Sequence, residues 1–477
     1  MTIERRKLLQ LGALGATGLA AASLVSGCKA GKAGDVVDIA IIGAGVSGMT
    51  AGYDLFQGGF KSFVVIEARD RVGGRTFNHH VGGFPVETGA TWIGPGQTAM
   101  YDLCRELGID VVPSWWKGDM QFLKDGKAIR VPGEPAPPFE NPELRAKVEA
   151  LAKTVVLEAP FKTPDAAKLD SITFGQYVQE QGMAAEEFAL FNLLATNTFG
   201  ARADQISLLF ALFYIHSAGS YTLLETMTGG AQQDRIAGGT QAVTLAIAKL
   251  LGDKVRLNSP VKSIKNWDGN GPVAIETATG TIKARRVIMA LSPSQAAEIS
   301  FDPPLPKGRQ AILDGWPRGG SGLTLHLGYK TPFWRKQGLS GLALGLLATS
   351  SILYVDLSPP DGSIGILKAL GQPGNVEQRK KDTVVAAVEL FGPEAAEPTE
   401  ISVQDWAKEK YTRGCVSPLE PGFLSKLDTP LAAPSGALHW AGTETATIWM
   451  GYMDGAARAG RRAATEALGS LVAGGEG

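Results

Sequence analysis

The stretch VVDIAIIGAGVSGMTAGYDLFQ, residues 36–57, decides the fold. A short apolar run rich in β-branched residues predicts a strand, the spacing GxGxxG predicts a tight turn, and the continuation predicts a helix. Gly43 would allow the turn, Gly45 would let the backbone approach a pyrophosphate, and Gly48 would let the helix pack closely. The first turn of the helix, which includes Ser47, offers free N–H groups to an anion. This pattern is typical of a dinucleotide-binding unit.

A carboxylate after the next apolar run indicates a dinucleotide without a 2′-phosphate. Residues 63–66 read FVVI and are followed by Glu67, 19 residues after Gly48. A carboxylate there accepts hydrogen bonds from an adenosine ribose and would repel a 2′-phosphate, so an NADP-type ligand is disfavoured. The alternative is a glycine-rich turn beside a surface glutamate.

The bulk composition excludes several classes of function. The 477 residues are 44% hydrophobic and 19% charged, as in ordinary globular proteins. A formal charge of -1 gives no reason to expect a nucleic-acid partner. The cysteines Cys28, Cys104 and Cys415 and the five histidines show no disulfide or metal-ligand spacing, so no metal is expected. Cys104 falls at helical spacing with Met100 and Leu103, which predicts a core position.

Later segments resemble the flavin monoamine oxidases. The likeness is carried by EARDRVGGRT at 67–76, GATWIGP at 89–95, DRIAGGTQ at 234–241, KVRLNSPV at 254–261 and WAGTETATIWMGYMDG at 440–455. Matched segments run from about residue 36 to residue 465. The resemblance implies an FAD-dependent enzyme that oxidises an amine to an imine, which water then hydrolyses to an aldehyde or ketone.

The resemblance also implies a two-domain α/β (α+β) fold. A Rossmann-like FAD-binding domain, formed by residues 35–112, 232–312 and 407–470, would be interleaved with a substrate domain that contains a mixed β-sheet and helices. The substrate domain would comprise residues 113–231 and 313–406, and the active site would lie between the two domains.

Cofactor-binding residues follow from the same resemblance. Beyond the glycine motif, they are Glu67, Arg69, Gly74, Arg75, Gly89, Ala90, Val261, Trp406, Thr443, Glu444 and Met453. Cys415 occupies the position at which monoamine oxidases attach the flavin 8α carbon through a thioether, and covalent FAD is expected. The alternative is a buried small side chain beside a noncovalent FAD.

The expected substrate pocket matches the family only in part. Tyr452 corresponds to one wall of the aromatic pair that holds the amine, Gln232 to a pocket glutamine, and Trp92 to a pocket aromatic. Core packing for Tyr452 and Trp92, or an exposed loop position for Gln232, are the alternatives. Val416 stands where the family has a second tyrosine, which indicates a bulkier or differently shaped substrate.

A second departure concerns the electron acceptor. Thr324 stands where the family lysine holds a water against flavin N5 and promotes reaction with O2, and Lys330 lies six residues further on. We therefore hypothesise slow reoxidation by O2 and transfer of electrons to another acceptor, such as a periplasmic cytochrome.

Two other functions stay open. Carotenoid desaturases, protoporphyrinogen oxidases and amino-acid oxidases share the dinucleotide segments, and Arg413 is a candidate partner for an amino-acid carboxylate. A redox-silent binding protein on a flavin fold is a third hypothesis, motivated by Val416 and Thr324.

The first 34 residues are interpreted as an export signal and linker. Arg5 and Arg6 precede an apolar run over residues 8–25, as in twin-arginine signals, which predicts a periplasmic or cell-envelope protein. VSGC at 25–28 resembles a lipoprotein cleavage box, so Cys28 is a candidate lipid anchor; ordinary cleavage nearby or an uncleaved anchor are the alternatives. The oligomeric state stays open, with a homodimer among the options.

Overall fold

The computed structural model describes residues 36–124, 126–133, 141–318, 322–346, 351–371, 374–412, 414 and 417–473. The predictions made for the export signal, Cys28, Arg413, Cys415 and Val416 lie outside these residues.

The described chain alternates strands and helices. The strands are, in chain order, β1 (Val36–Ile42), β2 (Phe63–Ile66), β3 (Asn78–Val81), β4 (Phe84–Glu87), β5 (Trp92–Ile93), β6 (Val111–Pro113), β7 (Asp119–Lys124), β8 (Lys127–Val131), β9 (Asp234–Ile236), β10 (Val255–Arg256), β11 (Val261–Lys265), β12 (Val273–Thr277), β13 (Gly280–Met289), β14 (Ser300–Asp302), β15 (Leu323–Tyr329), β16 (Leu339–Leu346), β17 (Ser351–Asp356), β18 (Gly365–Gly371), β19 (Glu400–Asp405) and β20 (Leu438–Trp440). The α-helices are α1 (Val46–Gln57), α2 (Thr98–Leu107), α3 (Pro142–Ala152), α4 (Ala166–Leu169), α5 (Phe174–Glu180), α6 (Ala185–Phe199), α7 (Leu208–Ala218), α8 (Tyr221–Glu225), α9 (Gln241–Leu251), α10 (Pro293–Ala296), α11 (Lys307–Gly315), α12 (Phe333–Lys336), α13 (Val376–Phe391) and α14 (Met453–Ala473).

The first sheet has the order β10-β2-β1-β13-β12-β11-β14, and β20 pairs with β13. Strands β2, β1, β13 and β20 run parallel, and their carboxyl ends meet because Ile42 is in register with Ile66 and Met289, and Met289 with Trp440. Ligands of parallel sheets bind at this edge. The turns that follow these strands therefore face one site.

Helices cover the first sheet because β1 is apolar on both faces. Ile39 and Ile41 pack into a core with α1 and α14, whereas Ala40 and Ile42 belong to the core on the opposite face. Helix α14 lies close against α1, since a Cβ added at Gly460 would lie 2.1 Å from the Ser47 carbonyl oxygen. Cys104 is buried in the same core, which confirms the expectation from its helical spacing.

The second sheet has the order β19-β15-β18-β17-β16-β7-β8 and is mainly antiparallel. Helix α13 and its neighbours cover one face, where Ala387, Leu390 and Phe391 pack on the sheet. The other face carries Thr324 and His326, paired across the strands with Leu370 and Lys368. This polar side contacts β4, since the His326 Nε2 lies 3.2 Å from the Glu87 carbonyl oxygen.

A third layer of helices closes the space between the sheets. Almost every residue of α7 is buried, and its aromatic side chains pack with Phe174, Phe199 and Tyr221. The predicted α/β fold with a mixed second sheet is confirmed, whereas the domain boundaries given above stay predictions. Within the described ranges, no helix is both long and apolar enough to cross a membrane.

Candidate functional site

A cavity of about 570 Å³ lies at the carboxyl edge of the first sheet and extends to the polar face of the second. Residues from the predicted cofactor set line it: Gly43, Gly45, Ser47, Glu67, Arg69, Gly74, Arg75, Gly89, Ala90, Val261, Trp406, Thr443 and Met453. The predicted substrate-pocket residues Trp92, Gln232, Thr324 and Tyr452 line the same cavity. The fold thus brings together side chains that are up to about 400 residues apart in the chain.

The glycine turn has the shape that a dinucleotide phosphate requires. Gly43 has φ +102, and a Cβ there would lie 2.6 Å from the Ala290 carbonyl oxygen. At Gly48 a Cβ would lie 1.9 Å from the Gly43 carbonyl oxygen, so this residue sits behind the cavity wall and permits close packing. At Gly45 the nearest atom would be 3.9 Å away, because this position opens into the cavity. No side chain caps α1, so its first N–H groups are available to an anion.

Glu67 is held at the end of β2 by two backbone donors. Its Oε2 accepts from the Ala44 N–H at 2.8 Å, and its Oε1 accepts from the Arg69 N–H at 2.9 Å. The side chain is 4% exposed and borders the cavity. Arg69 in turn binds Glu409 at 3.0 Å. A fixed carboxylate at this edge fits an adenosine ribose.

The segment 67–76, which contains the paired glycines, is held by an ion pair to the segment 440–455. Arg75 forms an ion pair with Glu444 at 2.9 Å, and Glu444 is 2% exposed, behind the wall that Arg75 forms. Gly89 leaves room for Trp406, since a Cβ there would lie 2.9 Å from the indole ring. The Trp406 indole N–H donates to the Thr88 carbonyl at 2.8 Å. These contacts fit a cradle for FAD built from distant segments.

Tyr452 and Tyr214 form an aromatic wall of the cavity. Their ring centroids are 5.9 Å apart, and Trp449 contacts Tyr452 edge-on at 5.0 Å. Tyr214 lies on α7, whose almost entirely apolar sequence gives no indication of which residue faces a ligand. Sequence analysis therefore missed a second aromatic beside Tyr452.

Gln232 lines the cavity and has a buried amide oxygen without a partner in the part of the chain that the structure describes. Its Nε2 donates to the Leu224 carbonyl at 3.0 Å, and its buried Oε1 has no hydrogen-bond partner among the described residues. Because the donor group is already committed to a carbonyl, the oxygen is available to a ligand N–H.

A lysine that the sequence did not single out lies near Thr324 in the same cavity. Lys368 is 1% exposed, and its Nζ lies 5.5 Å from the centre of the Trp92 ring. Lys330, in contrast, is exposed. The pairing of β15 with β18 brings Lys368 to the polar face, and sequence spacing alone does not reveal that register.

A half-buried acid lies beneath the opposite wall. Thr198, at the end of α6, lines the cavity and donates its hydroxyl to Glu225 on α8. Burial raises the pKa of the Glu225 carboxyl to about 7, while the hydrogen bond from Thr198 acts in the lowering direction. Among the residues that the structure describes, no group of three or more His, Cys, Asp or Glu side chains is placed to hold a metal ion.

Comparison with known proteins agrees with this geometry. The model of the family described as "Flavin containing amine oxidoreductase" matches residues 46–468, and the chain belongs to this family. AofH of Mycobacterium tuberculosis, whose name places it among the flavin-containing monoamine oxidases, is 35% identical over 442 residues, which cover 90% of this chain and 96% of AofH.

Two solved structures extend the likeness to three dimensions. Cyclohexylamine oxidase from Brevibacterium oxydans IH-35A superposes with a TM-score of 0.84 at 31% identity, covering 92% of this chain and 100% of that one. Putrescine oxidase, in a structure bound to putrescine, gives a TM-score of 0.82 at 31% identity and covers 90% of this chain and 98% of its own. The protein is thus an FAD-dependent amine oxidoreductase.

Proposed function

We propose that the chain oxidises a small amine to an imine in the part of the cavity bounded by Tyr452, Tyr214 and Gln232. The observation that carries this proposal is the convergence of an aromatic wall and an amide acceptor on the cavity that also contains the cofactor cradle. The relatives with cyclohexylamine and putrescine in their names are consistent with an alkyl amine.

The protein's own residues prepare the amine for oxidation. The faces of Tyr452 and Tyr214 exclude water and orient the nitrogen, and the Gln232 Oε1 accepts one amine N–H. These contacts keep the α-carbon directed at the cofactor. FAD, when bound, supplies the hydride acceptor for the α-carbon. The product imine is hydrolysed to an aldehyde or ketone and an amine or ammonia.

An anaerobic panel of amines tests the proposal. Loss of the oxidised flavin absorbance would be followed with cyclohexylamine, putrescine, benzylamine and a set of amino acids. We expect at least one simple amine to bleach the flavin, with aldehyde or ketone formed in equal amount. Bleaching by amino acids alone would support an amino-acid oxidase instead, and a protein that no amine or amino acid reduces would support the redox-silent alternative.

We also propose that Cys415 carries FAD covalently. Support comes from its neighbours, because Tyr411 and Thr412 line the cavity and Gly414 adopts a positive φ of +132. Colour that stays with the protein after acid precipitation, and is released in Cys415→Ala, is the expected result. Cys104→Ala is the control, because Cys104 lies in the core. Release of the flavin from the wild type would contradict the proposal.

We further propose twin-arginine export, with Cys28 as a candidate lipid anchor. The reason is the pair Arg5–Arg6 before an apolar run, together with a cofactor site that needs a folded chain. Replacing both arginines with lysine is expected to retain the protein in the cytoplasm, and cell fractionation measures this. An unchanged distribution would contradict the proposal.

A further inference from the structure

Lys368 is a buried cation in the wall of the cofactor cavity. Its Nζ donates to the Gly89 carbonyl at 3.0 Å and to the Thr91 hydroxyl at 2.5 Å. Gly89 and Thr91 belong to the segment 89–95 that also contributes Ala90 and Trp92 to the cavity. The ammonium group is therefore fixed by the same segment that borders the cofactor cradle.

Sheet register sets the direction of this lysine. Lys368 on β18 is directly opposite His326 on β15, and Thr324 lies two residues before His326 on the same face. Diagonal neighbours of this kind are about 7–8 Å apart between strands. Lys368 and the shorter, neutral Thr324 therefore line the same part of the cavity from neighbouring strands.

His326 does not share the positive charge. Its Nε2 faces the Glu87 carbonyl at 3.2 Å, and since a carbonyl only accepts, Nε2 carries the proton. Its buried Nδ1 is then an acceptor with no partner among the described residues. Burial, and next the charge of Lys368, hold the pKa of His326 well below its usual range. The cation of this pair is therefore Lys368.

We propose that Lys368 is the electrostatic residue that makes the reduced enzyme reactive with O2, which identifies O2 as the electron acceptor. This inference rests on the proposed amine oxidation. Two electrons pass from the reduced cofactor to O2, and H2O2 forms with one proton from the reduced cofactor and one from solvent. The lysine is unchanged over the cycle.

The physical reason is the charge that develops on oxygen. The first electron that reaches O2 creates an anion in a site shielded from water, where a fixed cation stabilises it more strongly than in bulk solvent. A cation that is already ordered by Gly89 and Thr91 does not need to reorganise. Thr324 alone predicts slow reoxidation by O2. With Lys368 in the same cavity, we expect rapid reoxidation instead.

Reoxidation of the chemically reduced enzyme tests this proposal separately from amine oxidation. Wild type, Lys368→Met and Lys368→Arg would be reduced with dithionite without amine and mixed with buffer of known O2 content in a stopped-flow instrument. We expect a loss of roughly 100-fold in the second-order constant for Lys368→Met, and a smaller loss for Lys368→Arg, which keeps the charge. Lys330→Met removes an exposed lysine and serves as the matched control.

A second readout does not depend on turnover. Removal of a nearby positive charge is expected to lower the reduction potential of the bound FAD in Lys368→Met, measured against a reference dye. Flavin absorbance and thermal unfolding show whether each variant holds its cofactor. If Lys368→Met loses FAD, the reoxidation rates of Lys368→Arg and Lys330→Met are compared instead, and a loss confined to Lys368→Arg supports the proposal.

Three results of the reoxidation experiments, and one of the reduction experiments, would overturn the proposal. The first three are reoxidation of Lys368→Met at the wild-type rate, equal loss in Lys330→Met, and a wild type that reacts slowly with O2 while a cytochrome oxidises it rapidly. If Lys368→Met instead abolishes reduction by an amino acid, the lysine binds a substrate carboxylate and the proposal fails. Absence of bleaching by every amine would contradict the proposed function, whereas the reoxidation data would still stand.

Discussion

The ring of Tyr452 is fixed from several directions, which matters for what a single substitution can show. Trp449 packs edge-on at 5.0 Å, Tyr214 lies at 5.9 Å, and the Thr443 hydroxyl donates to the Tyr452 carbonyl at 2.8 Å. A rigid ring presents its face to the cavity without losing conformational entropy on binding. Its contribution should therefore come from its shape and π-face, and little from its hydroxyl.

This view predicts different results for two substitutions of Tyr452. Tyr452→Phe keeps the ring and should reduce kcat/KM by no more than a few-fold, whereas Tyr452→Leu should reduce it by roughly 10- to 100-fold. The rate of anaerobic flavin bleaching by the best amine measures both. Equal rates for the leucine variant and the wild type would show that Tyr452 is only packing.

Glu225 gives a prediction for stability as a function of pH. Burial raises its pKa from 4.5 to about 7 in the folded state. The protonated form is favoured on folding, so its stabilisation is present below the unfolded pKa and is lost as the pH rises through about 7.

Glu225→Gln removes this titration. From about pH 5 to about pH 8 the variant should lose less unfolding free energy than the wild type, by on the order of 1–2 kcal/mol. Urea unfolding at the two pH values measures the difference. Glu158→Gln, at an exposed position, should follow the wild type. An identical pH dependence for wild type and Glu225→Gln would contradict the prediction.

At the scale of elements, a substitution at the start of α1 should weaken cofactor binding without affecting folding. Gly45 has φ -74 and ψ -178, which any residue adopts, and an added Cβ would have no atom nearer than 3.9 Å. In a Cys415→Ala background, where FAD would bind reversibly, Gly45→Ala should fold normally but bind FAD at least about 10-fold more weakly, because the methyl group occupies the space of the pyrophosphate.

The ratio of flavin to protein absorbance, together with thermal unfolding of the unloaded protein, measures the effect of Gly45→Ala. Gly469→Ala, inside α14 with no atom within 4 Å, is the control and should stabilise the helix by about 0.5–1 kcal/mol without changing FAD content. Full FAD content in Gly45→Ala would show that Gly45 does not border the cofactor.

The same elements show how far sequence patterns reach. The strand, turn and helix within residues 36–57 were predicted, and the apolar run at 63–66 is strand β2, because apolar runs and glycines act locally. Gly43 and Gly45 were predicted from the GxGxxG spacing, whereas Gly74 and Gly89 were predicted from the family resemblance, and all four line the cavity. Tyr214 was missed because α7 is almost entirely apolar and nearly every residue of it is buried. Lys368 was missed because its partner is set by the register of β15 and β18. Pairing across a sheet has no local signature.

At the scale of the whole molecule, the cavity unites two sheets and a helical layer, so ligand binding and global stability are coupled. In Cys415→Ala, where FAD would bind reversibly, added FAD should stabilise the fold by about 2.7 kcal/mol at 100 times its Kd. The rise in unfolding temperature with FAD concentration measures this. A flat titration, with FAD visibly bound, would mean that the unfolded chain binds FAD equally well.

Helix α14 and the turn before it supply Thr443, Tyr452 and Met453 to the cavity, and α14 packs on α1. During synthesis, the first strand and glycine turn leave the ribosome long before these closing residues exist. A nascent chain therefore holds an open half-site for most of translation. Capture of the coenzyme must therefore follow the synthesis of these residues, and chains released before them by a premature stop codon would accumulate without colour.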